Sequence, residues 1–226
     1  MKMIRKIKGY FLFLLIFTPA AAFTQNWVSY DIDSVLKLEI PSNYSEEDTL
    51  GQHVVVANIN NGVVVINSTP LSDKQWSVVT DERELKEFYN GFRIGLLQQV
   101  NGELVESHFA RQNGLLLIQY SMTIKIDSSE QAKHCVGVLI HGKMYSVFFT
   151  EIISKSRELT EQRNRLYNSI KVNPKLLPGD QLHTSGTSVL TQYKAGYALG
   201  YLIAFGIVVL LVGGLVFLIL KLTKAI

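Results

Sequence analysis

"LLLIQYSMTIKI", Leu115 to Ile126, alternates along its whole length. Leu116, Ile118, Tyr120, Met122, Ile124 and Ile126 fall on one face, and Gln119, Ser121, Thr123 and Lys125 on the other, which is the period of a strand. Turn signals punctuate its surroundings: "QNG" at Gln112–Gly114, "DSSE" at Asp127–Glu130 and "HGK" at His141–Lys143. Asn, Asp and Gly tolerate the positive φ that tight hairpins demand, so four strands in an antiparallel meander are expected here. In the last of them, "MYSVFFT", Tyr145, Val147 and Phe149 share a side. One face of the meander should be well buried and the other mixed.

Upstream, "WVSYDI" and "VLKLEIP" read as short strands, the second stopped by Pro41, and "HVVVANI" and "VVVINS" flank a hairpin turn at Asn60–Gly62. From Asp81 the period changes to about 3.6 residues. Leu85, Phe88, Tyr89, Phe92 and Leu96 share a face, Asp81 with Glu84 suggests a capping box, and Asn101–Gly102 supplies the stop. After the meander, Leu159, Arg163, Leu166, Tyr167 and Ile170 make a second helical stripe with Arg163 its one polar member. The expected fold over residues 26–172 is α+β, an antiparallel meander sheet with two amphipathic packing helices.

Both ends of the chain differ in composition. Lys2, Arg5, Lys6 and Lys8 precede the apolar "YFLFLLIF" and the small-residue "TPAAAFTQ", so residues 1–25 read as a signal peptide. Residues 173–194, with two prolines and several Ser and Thr, read as a fairly flexible linker. Residues 195–220 contain no charged side chain and read as a single transmembrane helix, with a cytoplasmic tail at 221–226. Tyr193, Tyr197 and Tyr201 suit the outer interface of a membrane, while Lys221 and Lys224 would hold the other end in the cytoplasm. The domain would then stand outside an inner (cytoplasmic) membrane. Gly196, Gly200 and Ala204 recur every fourth position, a seam for close helix packing. A membrane-protein partner or a second copy of the chain is the expected occupant.

Residues 26–172 hold 14 Lys and Arg against 18 Asp and Glu, a net charge of −4. A surface that must neutralise phosphates needs the opposite balance, so nucleic acid is excluded as a partner. Cys135 is the only cysteine, which rules out an intrachain disulfide and suits a small buried side chain. None of the five histidines pairs with another ligand at metal spacing, "DID" at Asp31–Asp33 lacks the rest of a calcium loop, and "SEED" at Ser45–Asp48 reads as a solvated loop. No GxSxG, phosphate loop or HExxH occurs. Neither catalytic residues, nor a cofactor, nor a metal site is expected.

The order of elements, the Pro-ended "LKLEIP", the Gly142–Lys143 hairpin, the aromatic strand Tyr145 to Phe149 and the helix exit at Ser169 resemble the Mog/PsbP-like fold over roughly residues 27–172. The resemblance implies a small binding or assembly module rather than an enzyme with a shared active site. It brings no residue set for a metal or for the photosystem role of the plant members. The function expected is therefore a membrane-anchored extracytoplasmic binding module. The alternatives are an accessory subunit of a membrane complex acting through its helix, and an extracytoplasmic enzyme with its site on the mixed face.

Overall fold

The computed structural model describes residues 25–49, 51–126, 129–184 and 191–204. Nearly all of the expected signal peptide, the stretch 205–220 and the tail with Lys221 and Lys224 lie outside these residues.

Strands β1 (Trp27–Ile32), β2 (Leu36–Pro41), β3 (Tyr44–Thr49), β4 (Gln52–Ile59) and β5 (Gly62–Pro70) come first. A single-turn helix α1 (Asp73–Trp76) and the long helix α2 (Glu82–Gln99) lead to the meander: β6 (Glu103–Gln112), β7 (Leu115–Ile126), β8 (Ser129–Ile140) and β9 (Lys143–Ile152). Helix α3 (Ser156–Ser169) and the two-residue strand β10 (Lys171–Val172) follow, and residues 192–204 form a last helix, α4. Seven antiparallel strands make the main sheet in the order β3-β4-β5-β9-β8-β7-β6, because β5 pairs with β9 and joins the early hairpin to the meander. The chain is thus α+β with antiparallel sheets and packing helices.

Tight turns arise where the sequence places them. At the β6–β7 and β8–β9 turns, Asn113 and Gly114 (φ 53° and 83°) and His141 and Gly142 (φ 48° and 69°) are left-handed, as two-residue hairpins require. Asp81 accepts from the Glu84 amide at 2.7 Å, but Glu84 returns its carboxylate to Thr80, not to Asp81, so the capping box is displaced by one residue. Asn101, at φ 49°, ends α2, with the Gly102 amide donating to the Leu97 carbonyl at 2.9 Å.

Three features depart from the sequence reading. β1 and β2 leave the main sheet and form a small one with β10, which packs with α3 over the second face of the main sheet. Leu36, Leu38 and Ile40 meet Val136, Val138 and Phe149 there, so that face is apolar at its centre rather than mixed throughout. The "SEED" segment is not a loop but part of edge strand β3, paired from Tyr44↔Ala57 to Thr49↔Gln52. An edge strand is solvated along one side, and its charges discourage pairing with a foreign sheet. Finally, the first half of the expected linker is tied down. Gln181, 2 % exposed, accepts from the Leu116 amide at 2.7 Å and donates to the Leu116 carbonyl at 2.8 Å. A Pro- and Ser-rich composition predicts flexibility only where no side chain finds buried partners. Gln181→Ala is expected to cost about 2 kcal/mol, because it strands a buried amide, and a fall in thermal midpoint of roughly 5 °C would show it.

Candidate functional site

The second face of the main sheet is left open beside α3, where β6, β7 and β8 extend beyond the cover of the small sheet. A one-residue bulge between Leu104 and Glu106 resets the alternation of β6 and sets Glu106 opposite Ser121. Register then places His108 opposite Gln119 and Ser121 opposite His134, while α3 contributes Arg163 and Tyr167 from across a cavity of about 450 Å³. The Glu106 carboxylate accepts from Ser121 Oγ at 3.0 Å, and Ser121 Oγ lies 2.9 Å from His134 Nδ1. His134 Nε2 stands 3.4 Å from Glu151 Oε1, which also accepts from Ser156 Oγ at 2.6 Å and from Arg163. Arg163, the polar intruder in the helical stripe, is there to pair with the fully buried Glu151.

Burial, and then the Arg163 charge, push His134 below its ordinary value, so the ring is neutral at pH 7. A neutral imidazole donates through one nitrogen only. If Ser121 donates to Glu106, Nδ1–H donates to Ser121; if Ser121 donates to Nδ1, Nε2–H donates to Glu151. One hydroxyl rotation with tautomer exchange links the two arrangements. A polar ligand that engages Glu106 would select between them.

The other histidines stay apart from this line. His53 meets Asp48 at 2.9 Å, His141 meets Asp180 at 3.0 Å, and no group of three metal-ligating side chains occurs among the described residues. Asp33, the last residue of the "DID" segment, makes the left-handed β1–β2 turn with Ser34 and pairs with Lys143. Cys135 is buried in the core, its thiol pushed up to about 12 by burial.

Helix α4 occupies the opposite face. It runs parallel to α2, and a Cβ built on Gly196 or Gly200 would stand 2.8 Å from the Phe92 amide nitrogen or 2.9 Å from that of Leu96. Gly91 and Gly95 of α2 meet the backbone of Tyr193 and Tyr197 just as closely. Ala195, Leu199, Ile203 and Ala204 are buried in the core shared with Phe88, Phe92 and Leu96. The seam of Gly196, Gly200 and Ala204 therefore has an occupant within the chain, helix α2. Tyr197 donates to Gln98 Oε1 at 2.8 Å and stacks on Tyr193, whereas Tyr201 is half-exposed. No described helix is long and apolar enough to cross a membrane. The first ten residues of the expected span, 195–204, instead lie on the domain.

Two sets of residues escaped the sequence reading. Gly91 and Gly95 stand four apart inside α2, where each glycine costs about 1 kcal/mol against alanine. That repeated cost was the available signal. Lys133 lies in phase with Cys135 and Leu139 on the apolar face of β8, a charge out of pattern.

No family model matches the sequence, and no curated protein matches it. Among solved structures, the cyanobacterial PsbP protein CyanoP of Synechocystis sp. PCC 6803 superposes with a TM-score of 0.51 at 8% identity, covering 67% of this chain and 95% of its own. The Ran-binding protein Mog1p of Saccharomyces cerevisiae gives 0.42 at 9% identity over 66% of this chain and 97% of its own. LpqN, involved in cell envelope biogenesis of Mycobacterium tuberculosis, gives 0.43 at 11% identity over 67% and 92%. Identities this low speak for architecture alone. With Pro41 ending β2, the Gly142–Lys143 turn before an aromatic β9, and Ser169 closing α3 by accepting from the Glu39 amide at 2.9 Å, the chain has a PsbP-like fold.

Proposed function

We propose that the chain is an extracytoplasmic binding module tethered to a membrane, with the groove of Glu106, Ser121 and His134 as its ligand surface. The observation that carries this reading is the seat of α4: it docks on the face of the main sheet opposite the groove. Residues 205–220, "FGIVVLLVGGLVFLIL", follow it directly, and Lys221 and Lys224 come next. As a helix these residues would rise ~24 Å, short of the ~30 Å hydrocarbon core, so the span would draw the domain close against the bilayer. The half-exposed Tyr201 then falls at the interface, and the groove stays open to solvent on the far side. The cationic, apolar start of the chain supports translocation of the domain, and the two lysines support a cytoplasmic tail. With Gly196 and Gly200 seated on α2, a membrane partner or a second copy would meet the segment beyond, where Gly206 and Gly213 stand.

The test is topology in bacterial spheroplasts expressing the full chain. Added protease is expected to remove the domain without lysis, and alkaline carbonate to leave the full chain in the pellet while releasing a chain that ends at Ala204. Protection of the domain until lysis, or carbonate release of the full chain, would sink the proposal.

A further inference from the structure

Lys133 is 8 % exposed, and its ammonium makes neither a hydrogen bond nor an ion pair with any described residue. Its one neighbour of note is the ring of Phe148, with the nitrogen 5.7 Å from the centroid. Lysine is rarely this buried without an anionic partner, because an ammonium largely withdrawn from water loses solvation that one aromatic ring only partly replaces. The side chain lines a cavity of about 610 Å³ on the α2 face, walled by Val63, Val65, Leu96, Val100 and Ile124 and rimmed by polar residues such as Asn60, Gln99 and Gln131. The last turn of α2 borders the same space and gives the cation only the weak compensation of a helix C-terminus. An apolar chamber of this size with one polar anchor is the form of a small-molecule site.

We infer that this cavity binds an amphiphile with a single compact anionic head, the head on Lys133 and the alkyl chain along Leu96, Val100 and Ile124. The charged groups around the anchor leave it free for such a ligand. Lys125 stands exposed at the rim, the buried Cys135 is a neutral thiol, and Glu151 turns its carboxylate to Arg163 on the other face of the sheet. Burial lowers Lys133 to about 8, so at pH 7 it is still cationic and able to pair. An anion would relieve the cost of the buried charge, and the ion pair would be strong in a chamber of low dielectric. Ala204 lines the cavity too, so on the tethered reading its mouth lies beside the lipid from which an acyl chain can enter. The site itself does not depend on that tether.

The test is photolabelling of the full chain, in neutral phosphatidylcholine nanodiscs and again in non-ionic detergent, with a diazirine-bearing dodecanoate read out by peptide mass spectrometry. Labelling of α2, β7 and β8 peptides is expected, competed by dodecanoate or dodecyl phosphate at least tenfold better than by methyl dodecanoate. Whichever acid competes at lower concentration identifies the head as carboxylate or phosphate. Lys133→Met should reduce labelling at least tenfold, while Lys171→Met, at an exposed position on β10 away from the cavity, leaves it unchanged. Equal competition by the methyl ester, undiminished labelling of Lys133→Met, or competition by inorganic phosphate as good as by the alkyl acids would overturn the inference. Because labelling is read in detergent as well, a failed tether and an empty site give different results.

Discussion

Lys133→Met is expected to raise the stability of the chain at pH 7 by roughly 3 kcal/mol, because burial lowers the lysine from 10.5 to about 8 and each unit is worth about 1.4 kcal/mol. In thermal unfolding of the full chain in mild detergent this corresponds to a midpoint roughly 6–10 °C higher. The pH dependence carries a definite sign. The folded-state value lies below the unfolded one, so between about pH 8 and 10.5 the unfolded chain holds a proton that the folded chain has released. The cost of the buried charge is complete below about pH 8 and fades as pH climbs toward 10.5. The advantage of Met over the native lysine should shrink through the same window. An equal midpoint at pH 7, or a gain that ignores pH, would show that the ammonium is not buried as described.

Gly200→Ile and, independently, Gly95→Ile should each undock α4 from α2. A Cβ on Gly200 stands 2.9 Å from the Leu96 amide nitrogen, and one on Gly95 2.9 Å from the Tyr197 carbonyl carbon; both are backbone atoms that cannot turn aside. The helices must separate, and Leu199 and Ile203, each 1 % exposed or less, then lose their burial. At about 1.5–3 kcal/mol for each such side chain, the docking loses at least 3 kcal/mol. Amide exchange of residues 192–204 should rise at least a hundredfold in both variants, with β2 and α3, which pack on the opposite face of the sheet, unaffected. Unchanged exchange in either variant would mean that the glycine contact does not hold the helix. The result also bears on the tether, since a domain with α4 undocked would hang from a hinge.

Much of the architecture was legible because alternation and turn chemistry are local. The Asn113–Gly114 and His141–Gly142 turns, the period of β7 and the stripe of α2 each follow from a few neighbouring residues whose backbone preferences agree with one another. Edge strand β3 was hidden because solvation lets charged residues alternate without an apolar face to mark them. The hydrogen-bonded line of Ser121, His134 and Glu151 was hidden for a different reason: its members come from three strands, and only register brings them together.

The sequence by itself determined the antiparallel strand-and-helix order, the two amphipathic stripes, the acidic balance of the domain and the uncharged stretch near its end, since each is a property of composition or short-range period. Only the tertiary structure decided which helix fills the seam of Gly196 and Gly200, because that contact joins residues about a hundred positions apart. It also decided that Lys133 faces a cavity and not water. A strand's alternation says which residues share a face, but what covers that face depends on elements packed from elsewhere in the chain.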